Sequence, residues 1–178
     1  MLSLSKYDQQ LIIPSLKHIE LNHTNIMEQE IKYVHTNLIA KDWRKLADFY
    51  IKVFDCKPTY PERDLHGEWL DKLTNINAVK IKGIHLLLPG YDTNGPTLEI
   101  FEYTEKESNP GPILINNFGF SHIAFRVENV EEAISKVIEH GGKKYGEFVK
   151  NDYHDIGTVS IIYIQDIEGN IIELQNWK

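Results

Sequence analysis

Two stretches of the chain carry apolar residues at helical spacing, and each follows a residue suited to capping a helix. After Asp42 come Trp43, Leu46, Ala47, Tyr50 and Phe54; after Asn129 come Val130, Ala133, Ile134, Val137 and Ile138. Apolar positions three and four apart predict one buried helical stripe. The Asp and Asn side-chain oxygens suit the free amides of a first turn. Gly141-Gly142 ends the second helix. Elsewhere apolar and polar residues alternate, which predicts strands. Before the helices these are Tyr33 to Leu38 and Phe120 to Phe125. After them come Lys57 to Arg63, Val79 to Leu88 and Thr97 to Tyr103 in the first half, then Lys143 to Lys150, Thr158 to Ile164 and Ile171 to Trp177 in the second.

The order of these elements repeats. With His35 placed over His122, a capping residue follows seven positions later in both halves, Asp42 or Asn129. Asp92-Thr-Asn-Gly95 and Asp166-Ile-Glu-Gly169 are both turn chemistry, and each leads four residues on to a strand glutamate, Glu99 or Glu173. His35 and Glu99 are 64 positions apart and His122 and Glu173 are 51 apart. The excess fits an insertion around Asp64 to Leu73 that reads as one or two helical turns. Each half is then strand, helix, strand, strand, strand. The predicted fold is α+β, two βαβββ modules forming a curved mixed sheet. The modules span 31–103 and 118–178, joined by a linker at 104–117 holding Pro110, Gly111 and Pro112. Residues 1–30 carry no part of the repeat and read as a dispensable arm, or as sequence upstream of a start at Met27.

Four repeated residues carry candidate chemistry. Side chains alternate faces along a strand. Ile123, Phe125 and Val127 would face the helix, which turns His122 the other way. Leu98 and Ile100 do the same for Glu99, and Ile172 and Leu174 for Glu173. A curved sheet would gather His35, Glu99, His122 and Glu173 in one cavity. A lone strand histidine is ordinarily a satisfied core or surface group, and a lone strand glutamate is ordinarily solvated. The recurrence of both at equivalent positions is what points to a divalent ion. Two neighbouring carboxylates repel unless a cation lies between them. Imidazole and carboxylate donors suit nickel, cobalt, zinc, manganese or iron.

Composition narrows the partners. The net charge of −7 gives no basic face for nucleic acid and no polybasic patch for a membrane. No apolar run approaches the roughly 20 residues of a membrane helix. One cysteine, Cys56, forms no intrachain disulfide and excludes cysteine-cluster zinc sites, which fits a reducing, cytoplasmic setting. Among the other histidines, His66 reads as rim or surface, His85 as a strand residue on either face, His140 as a helix end and His154 as a loop residue. His18 and His23 belong to the arm. No phosphate-binding loop, serine elbow or cysteine-protease signature is present.

The paired halves, His35-Thr-x-Leu with Phe49-Tyr50 downstream, Gly119-Phe-Ser-His122-Ile-Ala-Phe-Arg-Val and Asp166-x-x-Gly-Asn170-x-Ile-Glu173-Leu together resemble the vicinal oxygen chelate superfamily over about residues 31–177. That group includes glyoxalase I, methylmalonyl-CoA epimerase, extradiol dioxygenases and the bleomycin and fosfomycin resistance proteins. The resemblance implies paired βαβββ modules, a metal-bearing concave sheet and often a dimer. It implies His35, Glu99, His122 and Glu173 as the ligands of one divalent ion per site, the set typical of glyoxalase I. The epimerase usually has Gln where Glu99 stands, and the dioxygenases and fosfomycin enzymes use two His and one Glu. The residues after Glu99, Ile100-Phe-Glu-Tyr103, depart from the glyoxalase I pattern. Only three arginines, Arg44, Arg63 and Arg126, are available for a glutathione clamp.

The expected activity is that of a metal-dependent lyase or isomerase of the glyoxalase kind. It would move a proton through a metal-stabilised enediolate of a small carbonyl or thioester substrate. Glu173 is the first choice for the proton shuttle and Glu99 the second. The rivals are an extradiol-type dioxygenase, with Glu99 a bystander, and a non-catalytic ligand-sequestering protein. A homodimer is expected, because open sheet edges need covering.

Overall fold

The first helix shows how the chain is assembled. Helix α1 (Trp43–Phe54) starts where the Asp42 carboxylate accepts from the Lys45 amide at 3.2 Å, and it ends at Asp55 in the left-handed conformation. It buries Trp43, Leu46, Ala47, Phe49, Tyr50, Val53 and Phe54, the stripe its spacing predicts. The structure, a computed structural model, describes residues 31–104 and 111–178. The arm expected over 1–30, with His18 and His23, and the middle of the linker lie outside the described residues. Tyr33–Lys178 forms one compact unit.

Strand β1 (His35–Ile39) precedes α1, and β2 (Lys57–His66), α2 (Glu68–Thr74), β3 (Lys80–Leu87) and β4 (Thr97–Tyr103) follow it. The second module holds β5 (His122–Arg126), α3 (Val130–Glu139), β6 (Lys143–Lys144), β7 (Val149–Tyr153), β8 (Gly157–Gln165) and β9 (Ile171–Trp177). The α+β class and the repeated βαβββ order are therefore as expected. The sheet is realised as two separate mixed sheets. One runs β1-β4-β3-β2, the other β5-β9-β8-β6 with β7 also on β8. In each, the first strand is parallel to the last and the remaining pairs are antiparallel.

The strand expected over Lys143–Lys150 is broken into β6 and β7. Lys144 pairs with Ile164 but Val149 pairs with Ile161, so two extra residues bulge from that edge. Strand β2 does the same: Thr59 pairs with His85 and Arg63 with Gly83. Bulges and prolines belong on edge strands, where an unpaired amide costs little. Pro58 and Pro61 sit in β2, which is such an edge.

One core serves both modules. Leu86, Leu98 and Ile100 of the first sheet and Ile162, Ile164, Ile172 and Leu174 of the second are buried with α1 and with Val130, Ile134 and Val137 of α3. The rings of Phe54 and Phe125 stack across the module boundary at 4.2 Å between centroids. Polar groups cross it too. The buried Tyr50 hydroxyl donates to Asp166 Oδ2 at 3.0 Å. The Glu168 carboxylate accepts from the Lys41 and Asp42 amides at 2.8 to 3.0 Å. The turn between β8 and β9 is thus fixed to the N-terminus of α1, where the helix dipole favours a carboxylate.

The insertion folds as α2, and Leu70 within it is buried with Val79, Ile81 and Phe101. Phe101 lies two residues beyond Glu99 on β4, so this small second core occupies the face away from α1. That face carries the chemistry.

Candidate metal centre

The parallel pairing of β1 with β4 sets Asn37 opposite Glu99, which leaves His35 two residues earlier on the same face. The pairing of β5 with β9 sets Ala124 opposite Glu173, and His122 stands two residues earlier. Both histidines reach their glutamates. His35 Nε2 lies 3.4 Å from Glu99 Oε2, and His122 Nε2 lies 3.5 Å from Glu173 Oε2. All four side chains point away from the shared core, as the alternation requires, because Leu98, Ile100, Ile172 and Leu174 point into it.

The antiparallel neighbours add two groups outside the four expected from the sequence: His85, expected only as a strand residue on either face, and Tyr163. His85 on β3 lies directly opposite Glu99, and Tyr163 on β8 lies directly opposite Glu173. His85 Nε2 is 3.1 Å from Glu99 Oε1, and the Tyr163 phenol sits beside the Glu173 carboxylate. Their rings pack edge-on to the site histidines, His85 to His35 at 6.4 Å and Tyr163 to His122 at 5.1 Å. Burial pulls the His85 pKa below its ordinary value, with Arg63 and His35 acting the same way and Glu99 opposing. Burial raises the Tyr163 phenol, helped by the neighbouring Glu173 carboxylate. What places both residues at the site is cross-strand register, each lying opposite the repeated glutamate of its module.

The two half-sites differ in how firmly they hold their carboxylates. Asn37 Nδ2 donates to Glu99 Oε2 at 3.1 Å. Its counterpart Ala124 has no such group. Glu99 is only 8% exposed and meets His35, Asn37 and His85, while Glu173 meets His122 and Tyr163. On the His122 side, Ser121 Oγ lies 3.2 Å from His122 Nδ1 and also donates to the Ile115 carbonyl at 2.9 Å. Outer contacts of this kind fix the orientation of a ligating imidazole.

The donor chemistry suits a divalent ion, but one chain supplies it in two parts. Among the described residues, no three or more His, Cys, Asp or Glu side chains are grouped so as to hold a metal ion. Each glutamate is partnered by the rings of its own module, so the expected cation between two facing carboxylates is not drawn from one chain's geometry. Arg63 shares a face with Leu65, which packs toward Ile81 and Phe101 on the site side. Arg126 follows His122 and Ala124 along β5. Arg44 is engaged elsewhere, paired with Glu62 at 2.6 Å and lying over the Trp43 ring. His66 pairs with Lys80 on the opposite face from Leu65, away from the site. His140 caps α3, and His154 pairs with Asp155 on an exposed turn.

Residues 32–174 match the Glyoxalase/Bleomycin resistance protein/Dioxygenase superfamily. The chain belongs to this superfamily. The match spans both modules, both half-sites and the linker. Among solved structures, the superfamily chain is similar to a glyoxalase family protein from Bacillus cereus, at 18% identity and a TM-score of 0.66, covering 85% of this chain and 96% of that one. It is also similar to a glyoxalase family protein from Enterococcus faecalis, at 21% identity and a TM-score of 0.51, over 84% and 98% of the two chains. A third is the fosfomycin resistance protein of Listeria monocytogenes, solved with Mn(II) and sulfate, at 18% identity and a TM-score of 0.45, over 85% and 95%. No curated protein matches the chain. Among the described residues, no helix is long and apolar enough to cross a membrane.

Proposed function

We propose that this superfamily member is a divalent-metal-dependent lyase or isomerase of the glyoxalase kind, acting on a small carbonyl or thioester compound. The observation that carries this reading is the duplicated pair: His35 beside Glu99 and His122 beside Glu173, on equivalent strands, facing away from the core. His35, Glu99, His122 and Glu173 would hold the ion. When bound, it would polarise the substrate carbonyl and spread the charge left by the departing proton. The residues then divide the remaining work. Glu99, met by three polar side chains, is suited to stay in place. Glu173 meets fewer groups, which supports it as the carboxylate that takes the proton from carbon and returns it. The metal remains one of nickel, cobalt, zinc, manganese or iron.

The same reading includes a homodimer. Each module carries only half of the four-donor set, so the first module of one copy would complete its site with the second module of another. The cytoplasm is the compartment that suits the single, buried Cys56.

The test is elemental analysis combined with solvent-deuterium exchange. His122→Ala should lower metal content sharply from one ion per site. The wild type, given hemithioacetals or 2-methyl-branched acyl thioesters, should exchange a proton beside the carbonyl without consuming O₂. Glu173→Gln should slow that exchange by about two orders of magnitude. Ring cleavage of a catechol with ferrous iron would replace this reading with dioxygenation, and unchanged metal in His122→Ala would remove the site.

A further inference from the structure

The second module offers a measure of what is special in the first. Both glutamates have a ring opposite them on the antiparallel neighbour, but in the second module that ring is a tyrosine and in the first it is a histidine. His85 is well enclosed. Its side chain is 21% exposed, and its ring stands edge-on to His35 and to Phe101. Phe101 can settle there because the neighbouring strand carries Gly83, where a Cβ would lie 2.5 Å from the Phe101 ring and 2.1 Å from the Ile100 carbonyl oxygen. The His35, Phe101 and Glu99 side chains thus surround the imidazole, and Gly83 leaves room for the Phe101 ring among them.

Within that pocket the contacts to Glu99 are divided between its two oxygens. His85 Nε2 is 3.1 Å from Oε1, while Asn37 Nδ2 and His35 Nε2 are both on the Oε2 side. A carboxylate held at one oxygen by a donor from behind presents the other in a fixed direction. We propose that His85 is a positioning residue of the half-site: its Nε2–H holds Glu99 Oε1 so that Oε2 stays turned toward His35. This rests on the reading of His35 and Glu99 as metal ligands. It assigns His85 to the support of a ligand, with no bond of its own to the ion. The tautomer follows, because an imidazole that donates from Nε2 carries its neutral-form proton there.

Two measurements test this. The first uses metal-free protein. A two-bond ¹⁵N–¹H correlation of the imidazoles should show His85 as the Nε2–H tautomer, and Glu99→Ala should shift its signals. A His85 carrying its proton on Nδ1 would overturn the proposal. The second is a Co²⁺ titration followed by the visible spectrum. His85→Ala should bind cobalt about ten- to a hundred-fold more weakly, the usual effect of losing a group that orients a ligand. His85→Gln, whose amide nitrogen reaches the same place, should recover most of that loss with the wild-type spectrum. Wild-type affinity in His85→Ala would overturn the proposal. So would a failure of His85→Gln to recover binding together with a changed ligand-field spectrum, which would make His85 a ligand itself. If the wild type takes up no cobalt, the metal reading of His35 and Glu99 fails, and the tautomer alone decides whether His85 holds Glu99.

Discussion

Cys56 follows the C-cap of α1, and its amide reaches back to the Tyr50 carbonyl at 3.4 Å. Its side chain is buried, and that burial pushes the thiol pKa up to about 12. Iodoacetamide at pH 8 should leave the native protein unmodified and alkylate it only on unfolding, as read by mass spectrometry; rapid labelling of the native chain would contradict the assigned burial. The same shift has a pH signature. The thiol ionises near 9 when unfolded and near 12 when folded, so its contribution to stability is intact below 9 and falls away between those values. Other residue-scale properties divide by what a sequence can express. His35, Glu99, His122 and Glu173 were legible because the chain writes them twice. His85, Asn37 and Tyr163 were not, because their role depends on which residues lie opposite each other across a sheet. That register is set by bulges and strand pairing, which a linear reading does not contain.

At the scale of elements, the N-terminus of α1 is the clearest case of shared construction. Asp42 caps it locally, Glu102 from β4 accepts from the Trp43 amide at 3.3 Å, and Glu168 from the second module covers the Lys41 and Asp42 amides. Glu168→Ala should therefore destabilise the fold by about 1–2 kcal/mol, the range for losing a capping carboxylate. A melting temperature unchanged in a calorimetric scan would show that water replaces Glu168 without cost. Both capped helices and most strands could be read from periodicity, since Asp42 and Asn129 sit where the chain needs amide acceptors. The break between β6 and β7 could not, because Lys143 to Lys150 alternates like one strand and only its pairing to β8 exposes the two extra residues. Glu168 was likewise invisible as a cap, being 126 residues from the amide of Asp42.

At the scale of the whole molecule, the proposed pairing of copies makes a distinctive forecast. Co-expressed His35→Ala and His122→Ala chains should each bind no metal as pure dimers. A mixed dimer should regain one site, because one of its two composite sites draws an intact first module and an intact second module from different copies. Metal analysis of doubly tagged, co-purified dimers measures this, and a value of zero would place the site within single chains. The duplication has a further consequence through its common core. Phe54 against Phe125 and Tyr50 against Asp166 tie the main core of each repeat to the other. A gene cut at the linker would yield two fragments that each expose the apolar face meant for the other. A substitution on the buried stripe of either helix is therefore felt in both modules, while the outward faces are free to differ, with a histidine opposite Glu99 and a tyrosine opposite Glu173.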